Sequence, residues 1–254
     1  MTNRITLAAM ALTDAFHGDR LARLEPEAEP LSEAEAYAIQ DAVLGGEAVA
    51  GWKVAPARDG VIRCAPLGLS RLLADGDLMP PDLRAPLIEV ELALHLARDI
   101  PAGADAALIL AAIGGVGLAF EILDSRFVDR KAVSPLSALA DAQSNGAFVA
   151  GGATVPWPAL DCAKVPLTLR ADGGIVAETP GGASSAQVAE ALIWLAAHAA
   201  ARGRPLRKGQ IIITGSRLGP MPLPACRRMS AEGGGVGTVS LILHDHPAMK
   251  EATA

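Results

Sequence analysis

Apolar and polar residues alternate strictly through the segment LIEVELALHLA. Ile88, Val90, Leu92, Leu94 and Leu96 therefore fall on one face of a strand, and Glu89, Glu91, Ala93 and His95 on the other. Shorter apolar runs punctuated by Gly and Pro recur after Gly51: WKVA, VGLAFEIL, GAFVAGG, VPLTLRA, QIIITG and TVSLILHD. They predict a strand-rich region. The period changes at the N-terminus, where helical spacing runs from about 5 to 24 and from 33 to 44. Ser32 can cap the second helix, and acidic residues suit its first turn. The chain thus divides into a helical segment, 1–50, and a β-rich remainder, 51–254. Two further helices are predicted, a short one near 105–113 and a stronger one over 186–201, and ADGG at 171–174 reads as a hairpin turn.

Composition narrows the class of partner. Of 254 residues, 51% are hydrophobic and 20% charged, enough to bury a sizeable core. Aromatics make up only 3% and the net charge is −6, which argues against a base-stacking platform and against a phosphate-binding surface. The longest uncharged apolar run, Ala106 to Phe120, is too short for a membrane helix and is broken by glycines. An apolar stretch near the start resembles a signal-peptide core, but periodic apolar positions continue through Leu21 and Leu24, as in an amphipathic helix. Cys64, Cys162 and Cys226 are odd in number and lack C-x-x-C spacing, which fits a reducing cytoplasm.

The candidate chemistry lies on the polar face of the alternating strand. Glu89 and Glu91, at i and i+2, project side by side, and their like charges repel unless a cation intervenes. Alternation alone favours an ordinary solvated strand face, where alternating Glu is common. Glu121 changes the weighing, because VGLAFEILD surrounds it with apolar residues and an isolated buried carboxylate is costly. Three carboxylates on two neighbouring strands suit Mg²⁺ or Mn²⁺ acting as a Lewis acid, with positions left open for a chelating substrate. No Cys or His is spaced to favour zinc. His95 shares the face, but at about 13 Å along the strand from Glu91 it is out of reach of the same ion. Lys53, alone between Trp52 and Val54, is either a snorkelling lysine on an edge strand or a cation that orients a carboxylate and moves a proton.

Other patterns yield less. GGVGLAF leads into a strand and lacks the spacing of a dinucleotide loop, and GGGVG at 233–237 reads as a hairpin turn. No G-x-S-x-G elbow is present, and no Cys has an evident His partner. Thr214 to Pro220, TGSRLGP, is either a loop that touches substrate through Ser216 and Leu218 or a bend between strands.

Taken in order, GWKVA, IEVELALHLARDIP, LAFEILDSRF, LADAQSNGAFVAGG, LRKGQIIITGSRLGPMPL and a closing glycine-rich strand resemble the fumarylacetoacetate hydrolase superfamily. The likeness is to its 2-keto-4-pentenoate hydratase and 4-oxalocrotonate decarboxylase branch. The resemblance implies an α+β fold, a mixed β-roll or barrel with flanking helices. It implies Mg²⁺ or Mn²⁺ on Glu89, Glu91 and Glu121, a catalytic Lys53, and substrate contacts from Asp141 and Ser144 in ADAQS, where the family has Ala-Asp-Asn-Ala-Ser. Asp124, Ser125 and Arg126 match the common DSR, with Asp124 better suited to strand-end hydrogen bonding than to ligation. The family's acid in a Pro-Asp-Phe-Gly-like stretch is replaced by Pro66, while Asp75 and Asp77 read as turn residues beside Gly76.

The implied activity is a metal-dependent lyase of aromatic catabolism, a hydratase acting on a small 2-hydroxy-dienoic or 2-oxo acid, in a cytoplasmic homo-oligomer. A 2-oxo acid decarboxylase, an acylpyruvate-type hydrolase and a catalytically silent relative are the alternatives.

Overall fold

The computed structural model describes residues 3–243. The last residues of the run TVSLILHD, His244 and Asp245, lie outside them. The elements in chain order are α1 (Arg4–His17), α2 (Glu33–Leu44), β1 (Val49–Val54), β2 (Cys64–Gly68), β3 (Leu72–Ala74), β4 (Leu87–Leu96), α3 (Ala106–Ala111), β5 (Ile113–Leu123), α4 (Pro135–Ala140) and β6 (Asn145–Ala150). They continue with β7 (Leu167–Ala171), β8 (Gly174–Thr179), α5 (Ser185–Ala201), β9 (Ile211–Pro222), β10 (Arg228–Gly233) and β11 (Gly237–Ile242).

Seven strands form one mixed sheet in the order β2-β1-β9-β4-β5-β6-β3, and four form a second in the order β11-β10-β7-β8. Both orders are linear. The large sheet curls into a roll with β2 and β3 as its edges and does not close into the barrel that was the other expectation. Pro66 sits on the edge strand β2, the place where a proline costs a sheet no ladder bond. Gly151, at the end of β6, lets the two sheets approach: a Cβ there would lie 2.4 Å from the Thr238 carbonyl oxygen of β11.

Strand parity gives the large sheet two unlike faces. Trp52, Ile88, Val90, Leu92, Leu118 and Phe120 point into the main core, which α1, α2 and α5 complete with Leu12, Ile39 and Leu195. The other face carries a smaller cluster that includes Leu67, Ala93, Ala119, Phe148 and Ile213. Lys53, Glu89, Glu91 and Glu121 belong to this second face, because cross-strand partners share a side: Lys53 pairs with Ile213, Glu91 with Ala119 and Glu121 with Phe148.

Three expectations change. The first helix stops at His17, where the Gly18 N–H bonds the Asp14 carbonyl, although Leu24 remains buried beyond it. TGSRLGP is not a bend but the middle of the twelve-residue β9, which follows β4 through repeated register shifts. The helical N-terminal segment already holds the start of β1 at Val49. Ser32 does cap α2, accepting from the Glu35 N–H.

Candidate metal centre

Glu89 and Glu121 face each other directly across the β4–β5 ladder, and Glu91 stands two residues further along the same face. Each offers a carboxylate oxygen, and these three oxygens all lie within 4.8 Å of one another. Burial is nearly complete: 9% exposed for Glu89, 2% for Glu91 and 0% for Glu121. Crowded carboxylates out of water resist ionisation. Burial, then the charge of Glu121, pushes the Glu89 carboxyl up to about 7. Burial, then Glu121 and Glu89, lifts Glu91 well above its ordinary value.

The hydrogen bonds leave ligand positions open. Glu121 Oε1 accepts from Lys53 Nζ at 2.6 Å and from the Asn145 side-chain amide at 2.9 Å, while its Oε2 is buried without a partner. Glu91 Oε2 accepts from the Gly215 N–H at 2.6 Å. Gly215 adopts φ +95°, which glycine tolerates and L side chains rarely do, so the amide can aim at Glu91 from within β9. An orphaned oxygen on the most deeply buried carboxylate, facing two more, fits a hard divalent cation with oxygen ligands. The three glutamates are the group among the described residues able to hold one.

Lys53 enters from β1, three strands away from Glu121 in the sheet order. At about 4.8 Å per strand a flat sheet would hold their backbones about 14 Å apart. The ion pair forms because the sheet is rolled and both side chains point into its concavity. Lys53 Nζ also donates to the Gln143 carbonyl at 3.3 Å. That carbonyl belongs to a turn with three successive non-glycine residues at positive φ, Ala142 (48°), Gln143 (52°) and Ser144 (69°), a conformation costing about 1–2 kcal/mol per residue.

A second buried cluster holds this turn. Arg126 donates to the Asp141 carboxylate, to the Asp141 and Asn145 carbonyls, and to the Asp124 carbonyl at 2.9 Å, while Ser125 Oγ donates to Asp141 Oδ2 at 2.7 Å. Asp124 accepts from the Arg84 and Ala85 N–H groups. Asp141 thus stands one shell away from the glutamates. Ser144 is buried beside Asn145, and its N–H and carbonyl bond Asp141 and Asp124. Ser216 pairs in register with Glu91 and its hydroxyl donates to the Leu218 carbonyl at 2.9 Å, whereas Leu218 pairs with Val90 and packs into the main core, so its side chain is turned away from the glutamates and only its carbonyl serves this face.

Pro66 pairs with Trp52, so its side shares Trp52's face, opposite to Lys53. It lines a cavity of about 260 Å³ together with Leu12, Phe16, Val43, Ala142 and Asn145. The glutamates do not line that cavity, and Asn145 is the wall between them. Asp75 accepts from Ser240 and Asp77 from the Ala74 N–H, as turn residues do. His95 lies further along β4, opposite Gly115. Asn145, the Gly215 amide and the Gln143 carbonyl were not signalled by spacing, since each reaches the site from a separate strand or turn.

Residues 70–240 match the profile of the fumarylacetoacetate (FAA) hydrolase C-terminal family. A 2-keto-4-pentenoate hydratase of Paraburkholderia phymatum is 32% identical over 254 residues, spanning 93% of this chain and 96% of that one. A 2-hydroxyhexa-2,4-dienoate hydratase of Comamonas testosteroni is 33% identical over 157 residues, spanning 61% of this chain and 59% of its own length. Among solved structures, 4-oxalocrotonate decarboxylase from Pseudomonas putida G7, complexed with magnesium and adipate, superposes with a TM-score of 0.80 at 21% identity, covering 94% of this chain and 97% of that one. The extent of these matches, over a fold that gathers the same glutamates the ordered motifs single out, shows that the chain belongs to the fumarylacetoacetate hydrolase C-terminal family.

Proposed function

We propose that the protein is a divalent-metal-dependent hydro-lyase that adds water to a small 2-hydroxy-dienoate by way of its 2-oxo-enoate form. The observation that carries this reading is the cluster of Glu89, Glu91 and Glu121 with an unpartnered buried oxygen, in a chain similar along almost its whole length to a hydratase. Mg²⁺ or Mn²⁺ is the ion the oxygen donor set favours. When bound it supplies Lewis-acid stabilisation to the oxygens of a 2-oxo carboxylate.

The chain's own groups supply the rest. Lys53 sits against Glu121 with the second bond of its ammonium to Gln143, so Nζ is held where it can pass a proton to or from a substrate carbon. Asn145 fixes the orientation of Glu121 and leaves Oε2 turned to the ion site. Asp141, with Ser144, positions the turn that carries Gln143 and Asn145. Ser216 borders the substrate alongside Glu91, its hydroxyl held by the Leu218 carbonyl. The small cluster around Ala93, Ala119 and Phe148 keeps bulk water from the inner end. A cytoplasmic homo-oligomer acting in aromatic catabolism accords with this reading; the three cysteines are buried and unpaired, and no helix among the described residues is long and apolar enough to cross a membrane.

Incubating metal-loaded protein with 2-hydroxypenta-2,4-dienoate and with 2-oxo-3-hexenedioate tests it. Loss of ultraviolet absorbance without CO₂ release is the expected result. CO₂ release from the dicarboxylate would assign a decarboxylase instead, and inertness toward both would leave a silent relative.

A further inference from the structure

Strand β9 keeps its ladder to β4 by carrying extra residues, and these stand opposite the glutamates. From Ala93 to Glu91, β4 advances two residues while β9 advances three, from Ile213 to Ser216. From Glu91 to Val90, β4 advances one residue and β9 two, from Ser216 to Leu218. Arg217 is thus the extra residue of a bulge. In a regular strand Ser216 and Leu218 would share a face. Here Ser216 lies beside Glu91, while Leu218 lies beside Val90 in the main core, so the bulge at Arg217 is what turns Ser216 toward the site.

The extra residue of a bulge is left out of the ladder, so the segment needs other anchors. Thr214 supplies one, its Oγ1 donating to the Leu92 carbonyl at 3.0 Å. Arg217 supplies the other. Its Nη1 donates to the Cys162 carbonyl at 2.6 Å and its Nη2 to the Ala183 carbonyl at 2.9 Å. Those carbonyls lie on two loops that are locked together. The Gly182 N–H bonds the Ala163 carbonyl, and Ser185 Oγ accepts from the Cys162 N–H and donates to the Leu160 carbonyl. Gly182 leaves room for the guanidinium, since a Cβ there would lie 2.8 Å from Arg217 Nη1.

Between the two anchors stand Gly215 and Ser216, and the Gly215 N–H donates to Glu91 Oε2 at 2.6 Å. Both bonds from Arg217 go to carbonyls, so the arginine acts on the site through the backbone.

We infer that Arg217 is a positioning residue of the metal centre: it holds the bulge that aims the Gly215 amide at Glu91, and so fixes how that carboxylate is turned toward the ion. The inference rests on the metal-site reading above and extends it to a residue that touches neither ion nor substrate.

Titration of Mn²⁺ into the metal-free protein, with the EPR spectrum of the bound ion, tests it. Arg217→Ala should raise the Mn²⁺ Kd about 10- to 100-fold, the range for loss of a group that orients a ligand, and should change the EPR line shape. Arg217→Lys, which keeps a donor for one carbonyl, should recover part of the loss. In Gly182→Ala the added Cβ crowds the guanidinium without altering β9; this variant should also weaken Mn²⁺ binding, and should add little in the Arg217→Ala background. Ser32→Ala is the control, because it removes the cap of α2, lowers Tm and should leave Kd and spectrum at the wild-type values. Equal Mn²⁺ affinity in wild type and Arg217→Ala would overturn the inference. So would a Kd that rises in Ser32→Ala as it does in Arg217→Ala, which would reduce the arginine to general stability. If Arg217→Ala does not fold, wild-type Kd values in both Arg217→Lys and Gly182→Ala would overturn it. Failure of the wild type to bind Mn²⁺ would overturn the metal-site reading itself, and the inference with it.

Discussion

Two buried polar clusters meet at Asn145, whose carbonyl accepts from Arg126 and whose side-chain amide donates to Glu121, and they are built on opposite plans. Arg126 and Asp141 neutralise each other, Arg126 also donates to three carbonyls, and the Asp124 carboxylate accepts from two backbone N–H groups. Around Glu89, Glu91 and Glu121, three acids share one lysine, and Glu121 Oε2 has no partner. Burial raises the carboxyl of Asp141 as well, but Arg126 and Ser125 oppose the rise. In the glutamate group the acids raise one another. A complete cluster fixes backbone; an incomplete one is completed by a ligand. The difference separates positioning from binding without reference to any relative.

The sharpest way to break this contrast is to make the complete cluster incomplete. Arg126→Ala would strand Asp141 in the interior, and destabilisation by about 3–5 kcal/mol is expected, read as a fall in the denaturation midpoint. A variant of near wild-type stability would show that the cluster is no clamp. Next comes the reverse test. With Mg²⁺ or Mn²⁺ at one hundred times its Kd, the wild type should gain about 2.7 kcal/mol, or about 5–10 °C in Tm, and Glu91→Gln should abolish the gain. No metal effect on the intact protein would remove the ion site from consideration.

The third effect is smaller, because Glu89 keeps some contact with water. Its carboxyl is raised from an ordinary 4.5 to about 7 in the metal-free fold, so the folded state holds that proton more tightly than the unfolded chain. The stability this gives is fully present below about pH 4.5 and is lost as pH rises through 7. Metal-free protein should therefore melt lower at pH 8 than at pH 6, and saturating metal should flatten or reverse the slope. A metal-free Tm independent of pH across that range would show Glu89 to be ordinarily solvated.

Much of this was legible in the chain, for reasons of period. The alternation in β4 gave the face of Glu89 and Glu91 because a strand's parity depends on neighbours alone. Glu121 stood out because its apolar surroundings made a lone carboxylate expensive. What escaped depended on tertiary structure. The strand β2 contains Pro66, tolerated only because β2 is an edge, and edge position is not a local property. The interior of β9 reads as a bend because Gly215 and Gly219 punctuate it, yet the ladder to β4 persists by shifting register. Pro66 looked like the loss of an acid beside the lysine, but pairing with Trp52 turns position 66 toward the helices. Asn145 gives no pattern at all; only the β5–β6 ladder brings it to Glu121.

The Lys53–Glu121 pair spans an arc of four strands as a chord spans a bow. Its length measures how tightly the sheet is wound, so chemistry at Glu121 and the curvature of β1, β9, β4 and β5 are mechanically one variable. Substitutions that flatten the bow anywhere along those strands will draw the lysine off its glutamate and disarm the site from a distance, with every ligand residue still in place.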